Sequence, residues 1–352
     1  MCYCASDSTK SKLENGVQTD SNACMRHFYN LFPYPNRPLL FFPNARMATT
    51  AHLGFQRALA QKKFAVAEAF WRKSKTGTRV SDKEWDLLRS RISNNDRILL
   101  AGCGTDEPLL FRTLHPKQEI VAIDLSERSI EKAGKRIRIF EFLKRNTMAK
   151  KLGVPKTRLL AADFMNCSTA DLGGNFSFVQ CFGVLHHQNN PWPFLDKLIA
   201  ATASSGFLRI MIYSANGRRL ERRVQRSHAE LWKKSSKTYP ILFQHFLLWL
   251  WQLANKFGLW GTAAKDRFNY LGLSAATVAD ALLHPSDPGL DPDDLMKYFK
   301  NTGMKFLYCE AKIYKKGWKV GIEQPEEAWE EIIAAEKKCN LISNITVTFM
   351  KP

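Results

Sequence analysis

Short apolar runs that end at a glycine or an acidic residue recur through the middle of the chain. Runs of this length, bounded by turn residues, are typical of strands that are buried on both faces of a parallel sheet. Patterns typical of helices separate the runs, so the order predicts an α/β fold. The predicted strands are 98–101, 120–123, 158–162, 176–182 and 207–213, followed near the end of the chain by 305–313 and 345–349.

A glycine turn follows the first predicted strand, at Gly102 and Gly104. Glycine lacks a Cβ atom, so the backbone there can bend sharply and approach a ligand closely. Asp124 ends the second strand, twenty positions after Gly104. Strand, glycine turn, helix, strand and acid form the layout of a nucleoside-binding βαβ unit, in which the carboxylate accepts hydrogen bonds from the ribose hydroxyls.

Four motifs follow one another in an order that resembles a known family. They are Gly-Cys-Gly-Thr at 102–105, Ile-Asp-Leu-Ser at 123–126, Ala-Asp-Phe at 162–164 and Gly-Val-Leu-His-His at 183–187. The stretch from 97 to 214 is similar to class I S-adenosylmethionine-dependent methyltransferases. The resemblance implies an α/β fold with a Rossmann-like, seven-stranded methyltransferase sheet, an N-terminal helical and aromatic extension, and a helical insertion after the fifth strand.

The resemblance implies that S-adenosyl-L-methionine is the cofactor. Asp124 would hold its ribose, and Asp163 or the adjacent backbone would reach the adenine amino group. Two positions depart from the family pattern: Leu100 stands where an acid is common, and Asp106 where a glycine is common. Asp106 or Glu107 is a candidate to reach the ammonium group of the cofactor. The expected cofactor-binding residues are Ala101, Gly102, Cys103, Gly104, Thr105, Asp106, Asp124, Leu125, Asp163, Phe164, Phe182, Gly183 and Val184.

Two histidines and a tyrosine at strand ends are the candidates for catalysis. His186 and His187 follow the fourth strand, at the edge where this fold places ligands, and histidine can take a proton near neutral pH. One of them is predicted to be a general base, with ordering of the loop as the alternative. Tyr213, at the end of the fifth strand, is predicted to contact the substrate.

The rest of the chain divides into regions of different character. Aromatic residues alternate with prolines from 28 to 42, which predicts an extended segment that either forms a lid over the cofactor or simply packs on the surface. A charged helix is expected at 326–338, between the last two strands. The predicted regions are a disordered tail at 1–25, a helical cap at 26–95, the cofactor-binding core at 96–214, a helical insertion at 215–300 and the final strands at 301–352.

The net charge favours anionic partners. The 352 residues include 52 Lys and Arg against 33 Asp and Glu, which gives +19 at pH 7. An arginine-dense run from Arg218 to Arg226 makes RNA or an anionic membrane surface a candidate partner. The longest apolar segment, 241–254, is too short and too polar to span a bilayer, but it is a candidate for docking on a membrane surface.

The eight cysteines form no Cys-x-x-Cys pair, which argues against a zinc site, and no metal is expected. The first residues carry no signal-peptide pattern. These features indicate reduced thiols and a cytoplasmic protein, with peripheral membrane association as the alternative.

The leading hypothesis is S-adenosylmethionine-dependent methyl transfer to a small-molecule or lipid-like acceptor. An RNA methyltransferase comes second. A non-catalytic module of the same fold that docks on an anionic membrane or a partner comes third. A nicotinamide dehydrogenase is disfavoured, because the third glycine of its fingerprint is missing.

Overall fold

The computed structural model describes residues 14–43, 48–143, 157–213, 215–216, 218–219, 221–226, 275–341 and 344–352. These residues form one mixed sheet of eight strands with helices packed on both faces. The strands are β1 Arg97–Ala101, β2 Glu119–Asp124, β3 Thr157–Ala161, β4 Phe176–Phe182, β5 Thr202–Ile212, β6 Lys305–Ile313, β7 Gly317–Gly321 and β8 Ile345–Met350.

The strands lie in the order β3-β2-β1-β4-β5-β8-β6-β7. Strands β1 to β5 pair in parallel, whereas β8 runs antiparallel to both β5 and β6. The predicted α/β fold and the pairing of the last two predicted strands are confirmed. The strand order reverses between β1 and β4, and open α/β sheets bind ligands outside the carboxyl ends of the strands at such a point.

Strand β7 is not predicted by the sequence. It pairs antiparallel with β6 and forms an edge of the sheet. The chain enters it through two residues in the left-handed region, Lys315 of the preceding turn at φ 59° and Gly317, the first residue of the strand, at φ 82°. A five-residue strand with a glycine at each end lacks the apolar run that predicts a strand, so the seven-stranded expectation is one strand short.

Helices cover both faces of the sheet. Side chains alternate along a strand, so Ile98 and Leu100 face one apolar cluster while Leu99 and Ala101 face the other. The helices of the described residues are α1 Glu14–Leu31, α2 Leu53–Ala60, α3 Phe64–Thr76, α4 Asp82–Arg89, α5 Glu107–Leu114, α6 Glu127–Leu143, α7 Thr169–Leu172, α8 Trp192–Ala201, α9 Ala275–Leu282, α10 Pro292–Asn301 and α11 Pro325–Lys337. Helices α2 to α5 contribute to the first cluster, and α8, α10 and α11 to the second.

Helix α1 corrects the prediction of a disordered tail over residues 14–25. Met25 and Phe28 of this helix are buried, as is Phe32 just beyond its end. Phe28 and Phe32 belong to one apolar cluster with Ala279 and Leu282 of α9. Most helical stability in proteins comes from such tertiary packing. The polar composition of the segment does not reveal this partner, because it lies about 250 positions away in the chain.

The helical insertion is described in part. Residues 221–226 are helical, and α9 and α10 lie in its second half. The apolar segment 241–254, predicted as a membrane-docking helix, lies outside the described residues. Among the helices that the structure describes, none has both the length and the apolar character needed to cross a bilayer.

A partly buried ion pair fixes the start of β1 against α2. Arg57 donates two hydrogen bonds to Asp96, from Nη1 to Oδ2 at 2.7 Å and from Nη2 to Oδ1 at 2.6 Å. The backbone N–H of Ser93 donates to Oδ2 at 2.6 Å. Burial opposes ionisation of Asp96, but hydrogen bonds, chiefly from Arg57, outweigh it and hold its pKa below the usual range.

Replacing Asp96 by Asn should lower the free energy of unfolding by about 2–3 kcal/mol, because the Arg57 guanidinium loses its charged partner. The folded-state pKa of Asp96 is depressed. Its contribution is therefore present above the unfolded value of about 3.9 and is lost as the pH falls through the folded value. Urea unfolding at neutral and acidic pH measures both effects. The exposed Arg72–Glu68 pair is the control, and Glu68→Gln should cost less than about 1 kcal/mol. Equal losses in the two variants would contradict this assignment.

Candidate active site

A cavity of about 290 Å³ lies at the carboxyl ends of β1 to β5. Most of the predicted site residues line it. Those that do are Gly102, Cys103, Gly104, Asp106, Asp124, Leu125, Asp163, Phe164, Phe182, Gly183, Val184, His187 and Tyr213. Three predicted residues, Ala101, Thr105 and His186, are buried without being part of the cavity wall.

The glycine turn after β1 needs both of its glycines. Gly102 and Gly104 have φ angles of +72° and +54°, a region that other residues rarely adopt. A Cβ atom on Gly104 would lie 2.5 Å from the carbonyl oxygen of Tyr34. The backbone N–H of Thr105 donates to that same oxygen at 3.0 Å, and its hydroxyl donates to the Pro35 carbonyl. Thr105 therefore fixes the segment after α1 onto the turn and does not face the cavity.

Asp124 joins the glycine turn to the end of β2. Its Oδ2 accepts a hydrogen bond from the Gly104 N–H at 2.8 Å, and its Oδ1 accepts one from the Ser126 N–H at 2.8 Å. Burial raises the pKa of this carboxyl, while the two hydrogen bonds oppose the rise. Each carboxylate oxygen can accept a second hydrogen bond. Asp124 can therefore also accept hydrogen bonds from the two hydroxyls of a diol.

Asp163 occupies the corresponding position after β3. Its Oδ1 accepts from the Met165 N–H at 2.9 Å, and its Oδ2 accepts from the side-chain amide of Asn22 at 2.8 Å. Asn22 lies on α1, so the N-terminal helix contacts the oxygen that the sequence predicts to bind an amino group. The ring of Phe164 packs beside that of Phe194, with the centroids 4.9 Å apart, and both rings line the cavity.

Asp106 is held by two arginines. Arg37 lies with its Nε 3.0 Å from Oδ2, and the fully buried Arg136 donates from Nη1 to Oδ1. Arg136 also donates to the carbonyls of Thr105, at 2.9 Å, and Phe41, at 2.6 Å. The acid that replaces the usual glycine therefore clamps the 34–42 segment to the turn. Although Asp106 lines the cavity, its carboxylate serves this clamp.

Glu107 lines the cavity at the start of α5. Its Oε2 is buried and has no hydrogen-bond partner among the described residues. Burial raises the pKa of Glu107 to about 8, against a smaller opposing effect from a hydrogen bond with Gln180. The β1–β4 register pairs Gln180 with Leu100. The Glu107 carboxyl therefore lies near the strand position where the family commonly has its acid.

His187 presents a proton acceptor to the cavity. Its Nδ1 lies 2.8 Å from the carbonyl oxygen of Ser286, which can only accept, so Nδ1 carries the proton. Its Nε2 is buried and has no hydrogen-bond partner among the described residues. Burial lowers the pKa of His187, so the ring is neutral near pH 7 and Nε2 keeps its lone pair.

His186 is placed differently from its neighbour. Its Nδ1 accepts a hydrogen bond from the Tyr213 N–H at 3.2 Å, and its ring stacks on that of Tyr213 with the centroids 3.8 Å apart. It lies outside the cavity wall. Of the two candidate bases, only His187 reaches the cavity, and His186 positions Tyr213.

A hydrogen-bonded network from α1, the end of β5 and α9 forms one wall. The Ser286 N–H donates to His284 Nδ1 at 3.2 Å, so the neutral ring carries its proton on Nε2, 3.1 Å from the Tyr29 hydroxyl. The hydroxyls of Tyr29 and Tyr213 donate to the two oxygens of Asp280, at 2.9 and 3.0 Å. Burial raises the pKa of both tyrosines well above the ordinary value, so both remain donors.

A cluster of three residues around this network also has the side-chain types of a metal site. His187, Asp280 and His284 each bring one ligand atom within 4.8 Å of the others. In the network, however, Asp280 accepts from two tyrosines and His284 Nε2 bears a hydrogen. A metal ion would have to displace Tyr29 from both Asp280 and His284. The present geometry is therefore that of a hydrogen-bond network.

Four residues are among those of the wall that the sequence did not assign. Asn22 and Tyr29 come from α1, Tyr34 from the segment after it, and Asp280 from α9. The aromatic and proline pattern from 28 to 42 was the signal for Tyr29 and Tyr34, through the expectation of a lid. No local pattern marks Asn22 or Asp280, because only the packing of α1 on α9 brings them to the cavity.

Known proteins match the chain at the level of sequence and of structure. A family model described as a methyltransferase domain matches residues 71–256. An uncharacterized protein of Synechococcus sp. is 26% identical over 214 residues, which are 60% of this chain and 48% of that protein. The chain therefore spans about half the length of this curated relative.

Two solved structures are similar over much of the chain. PKMT2 from Rickettsia typhi, in complex with AdoHcy, has 15% identity and a TM-score of 0.48, covering 73% of this chain and 49% of that one. Magnesium protoporphyrin IX methyltransferase from Synechocystis PCC 6803, with bound SAH, has 10% identity and a TM-score of 0.41, covering 94% and 100%.

The family model spans more than half of the chain and includes the glycine turn, Asp124, Asp163 and His187. The chain therefore belongs to the class I S-adenosylmethionine-dependent methyltransferase family.

Proposed function

We propose that this protein transfers a methyl group from S-adenosylmethionine to a small or lipid-like acceptor with a protic nucleophile. One observation carries the proposal: a single cavity contains the glycine turn with Asp124 and also the unpartnered Nε2 of His187. The first pair has the layout of a nucleoside site, and the histidine has the protonation state of a base.

Residues of the chain fit the cofactor. Gly104 lines the cavity with a positive φ angle and no side chain, so its backbone faces the space that a cofactor would occupy. Asp124 would hold the ribose hydroxyls, and Asp163 the adenine amino group, with the Asn22 amide giving up its contact. The buried, unpartnered Oε2 of Glu107 would receive the ammonium group. When bound, the cofactor supplies a methyl group that its sulfonium already activates.

The chain then contributes mainly alignment and proton removal. Transfer is an in-line displacement, so the wall must hold the nucleophile opposite the leaving sulfur. His187 would accept the proton of the nucleophile at Nε2, while its Nδ1–H remains on the Ser286 carbonyl. The network behind it fixes the tyrosine hydroxyls on Asp280, which leaves His187 as the proton acceptor.

The shape of the cavity favours a small or slender acceptor. Its apolar wall includes Tyr29, Tyr34, Phe182, Phe194 and Met211. A volume of about 290 Å³ is near the lower end for ligand sites, which span roughly 300–1,000 Å³. A bound cofactor would take up most of this space, so only a small group or the end of a longer apolar molecule could enter beside it.

Methyl transfer to RNA is the alternative function. The number of arginines in the 218–226 run overstates the support for it. Arg218 and Arg222 turn inward toward Asp287, with side chains only 19% and 13% exposed. Arg219, Arg223 and Arg226 are exposed. An RNA or anionic membrane partner would therefore meet three of the five arginines.

Replacing Asp124 by Asn should weaken S-adenosylmethionine binding by roughly tenfold or more, because an amide cannot accept from both the Gly104 and Ser126 N–H groups and also serve the ribose. Calorimetric titration of the purified protein measures this. Asp86→Asn, an exposed acid on α4, is the control and should bind as the wild type does. Absence of wild-type binding at millimolar cofactor would refute the proposal.

The affinity for S-adenosylmethionine should rise by roughly an order of magnitude per pH unit up to about pH 8. Glu107, with its pKa near 8 in the free protein, must ionise to receive the ammonium. The isosteric Glu107→Gln variant should lose this part of the pH dependence, whereas titration of the ligand itself affects both proteins alike. Parallel binding profiles for the two proteins would show that Glu107 does not meet the ammonium group.

Replacing His187 by Gln should lower the methyl-transfer rate by roughly a hundredfold or more and leave cofactor affinity unchanged. The assay uses methyl-labelled S-adenosylmethionine with a total lipid extract, a small-molecule extract and RNA as separate acceptor pools. Exposed His27→Gln is the control. Because the pKa of His187 is lowered, the wild-type rate should stay constant as the pH falls below the usual histidine pKa of about 6.5. Label found only in RNA would support methyl transfer to RNA instead. A fully active His187→Gln variant would show that His187 is not the general base.

A further inference from the structure

A cluster of exposed apolar side chains lies where the segment after α1 meets the end of α6. We call it the apolar patch. It consists of Leu39, Leu40, Phe41, Phe42, Phe142 and Leu143. Nine large apolar side chains are exposed among the described residues, and six of them are in this patch. Single exposed apolar residues are ordinary, whereas a cluster marks an interaction surface.

The patch joins a loop to the end of a helix. The ring of Phe42 lies beside that of Phe140 on α6, with the centroids 5.7 Å apart, and Phe142 and Leu143 follow Phe140 at the end of that helix. The buried Arg136 of α6 donates to the Phe41 carbonyl at 2.6 Å. These contacts fix the loop backbone while the Leu40 side chain remains 68% exposed and that of Leu143 59% exposed.

Basic residues lie beside the patch. The guanidinium of Arg37 lies 4.6 Å from the centroid of the Phe41 ring, and Arg138 is exposed on the last turns of α6. The whole chain carries a net charge of +19. Exposed apolar side chains beside basic residues match a bilayer that offers anionic headgroups above an apolar interior.

We propose that the apolar patch docks on anionic lipid membranes, with Leu40 and Leu143 entering the headgroup region. The surface differs from the arginine run and from the 241–254 segment, which the sequence had put forward for this role. Docking does not depend on methyl transfer, so it can be tested without an acceptor.

The position of the patch links docking to the cavity. Tyr34 and Pro35 line the cavity, and the chain from them to Leu40 is held by Arg37 on Asp106 and by the Phe41 carbonyl on Arg136. A membrane that holds the patch therefore also contacts the segment that covers the glycine turn. On the proposed function, an acceptor dissolved in the bilayer would then meet the protein beside this segment.

Cosedimentation with phosphatidylcholine vesicles, with and without phosphatidylserine, tests the docking. The wild type should pellet with the phosphatidylserine vesicles, and less so at high salt, because the electrostatic part is screened. The Leu40→Glu, Leu143→Glu double variant should bind roughly tenfold or more weakly, since it places two acids at the lipid surface. Both side chains are exposed, so its thermal melt should match that of the wild type.

Tyr314→Glu is the matched control. This side chain is 41% exposed at the β6–β7 turn, at the edge of the sheet opposite β3. It should leave vesicle binding unchanged. A wild type that stays in the supernatant with both kinds of vesicle would overturn the proposal. So would equal losses in the double variant and the control. A dimer in the absence of lipid that the double variant abolishes would assign the patch to self-association instead.

Discussion

The hydrogen bond from the Gly104 N–H to Asp124 is the constraint on which the cavity depends. It fixes the turn after β1 to the end of β2, while the second oxygen of the same carboxylate holds the Ser126 N–H at the start of α6. The carboxyl is buried, which raises its pKa, and the two N–H groups offset part of that cost. The floor of the site is therefore a carboxyl group held by backbone donors, ready to accept further hydrogen bonds.

The N-terminal segment completes the site from above. Tyr34 and Pro35 accept hydrogen bonds from Thr105, and Asp106 pairs with Arg37 and Arg136. A glycine at position 106 would offer no such clamp. The acid at position 106, which departs from the family pattern, thus adds ion pairs. They attach the cavity wall to the loop that carries the apolar patch.

The sequence predicts the floor of the site well and its walls poorly. Gly102, Gly104, Asp124 and Asp163 follow strands at fixed spacings, and parallel strands bring their carboxyl ends to one edge. The expectation for His187 relies on the same local logic. It fails to separate His187 from His186, because which ring faces the cavity depends on the turn after β4 and on Ser286, about a hundred positions later.

The elements that the sequence missed depend on remote partners. Helix α1 is stabilised by contact with α9, and Tyr29 meets Asp280 across 251 positions. Neither segment carries a periodic apolar pattern strong enough to reveal the contact. Strand β7 is too short and too rich in glycine to be predicted, and it forms through pairing with β6. Local pattern thus identifies the parallel strands, and long-range packing decides what closes the site over them.

A crystal structure with S-adenosylhomocysteine tests the central claim most directly. The account predicts the ribose hydroxyls on Asp124, the adenine amino group on Asp163 in place of the Asn22 amide, and the ammonium group on Glu107, with the sulfur facing the space beside His187. A cavity that remains closed by Asn22 and Tyr34 while the ligand lies elsewhere or is absent would contradict it.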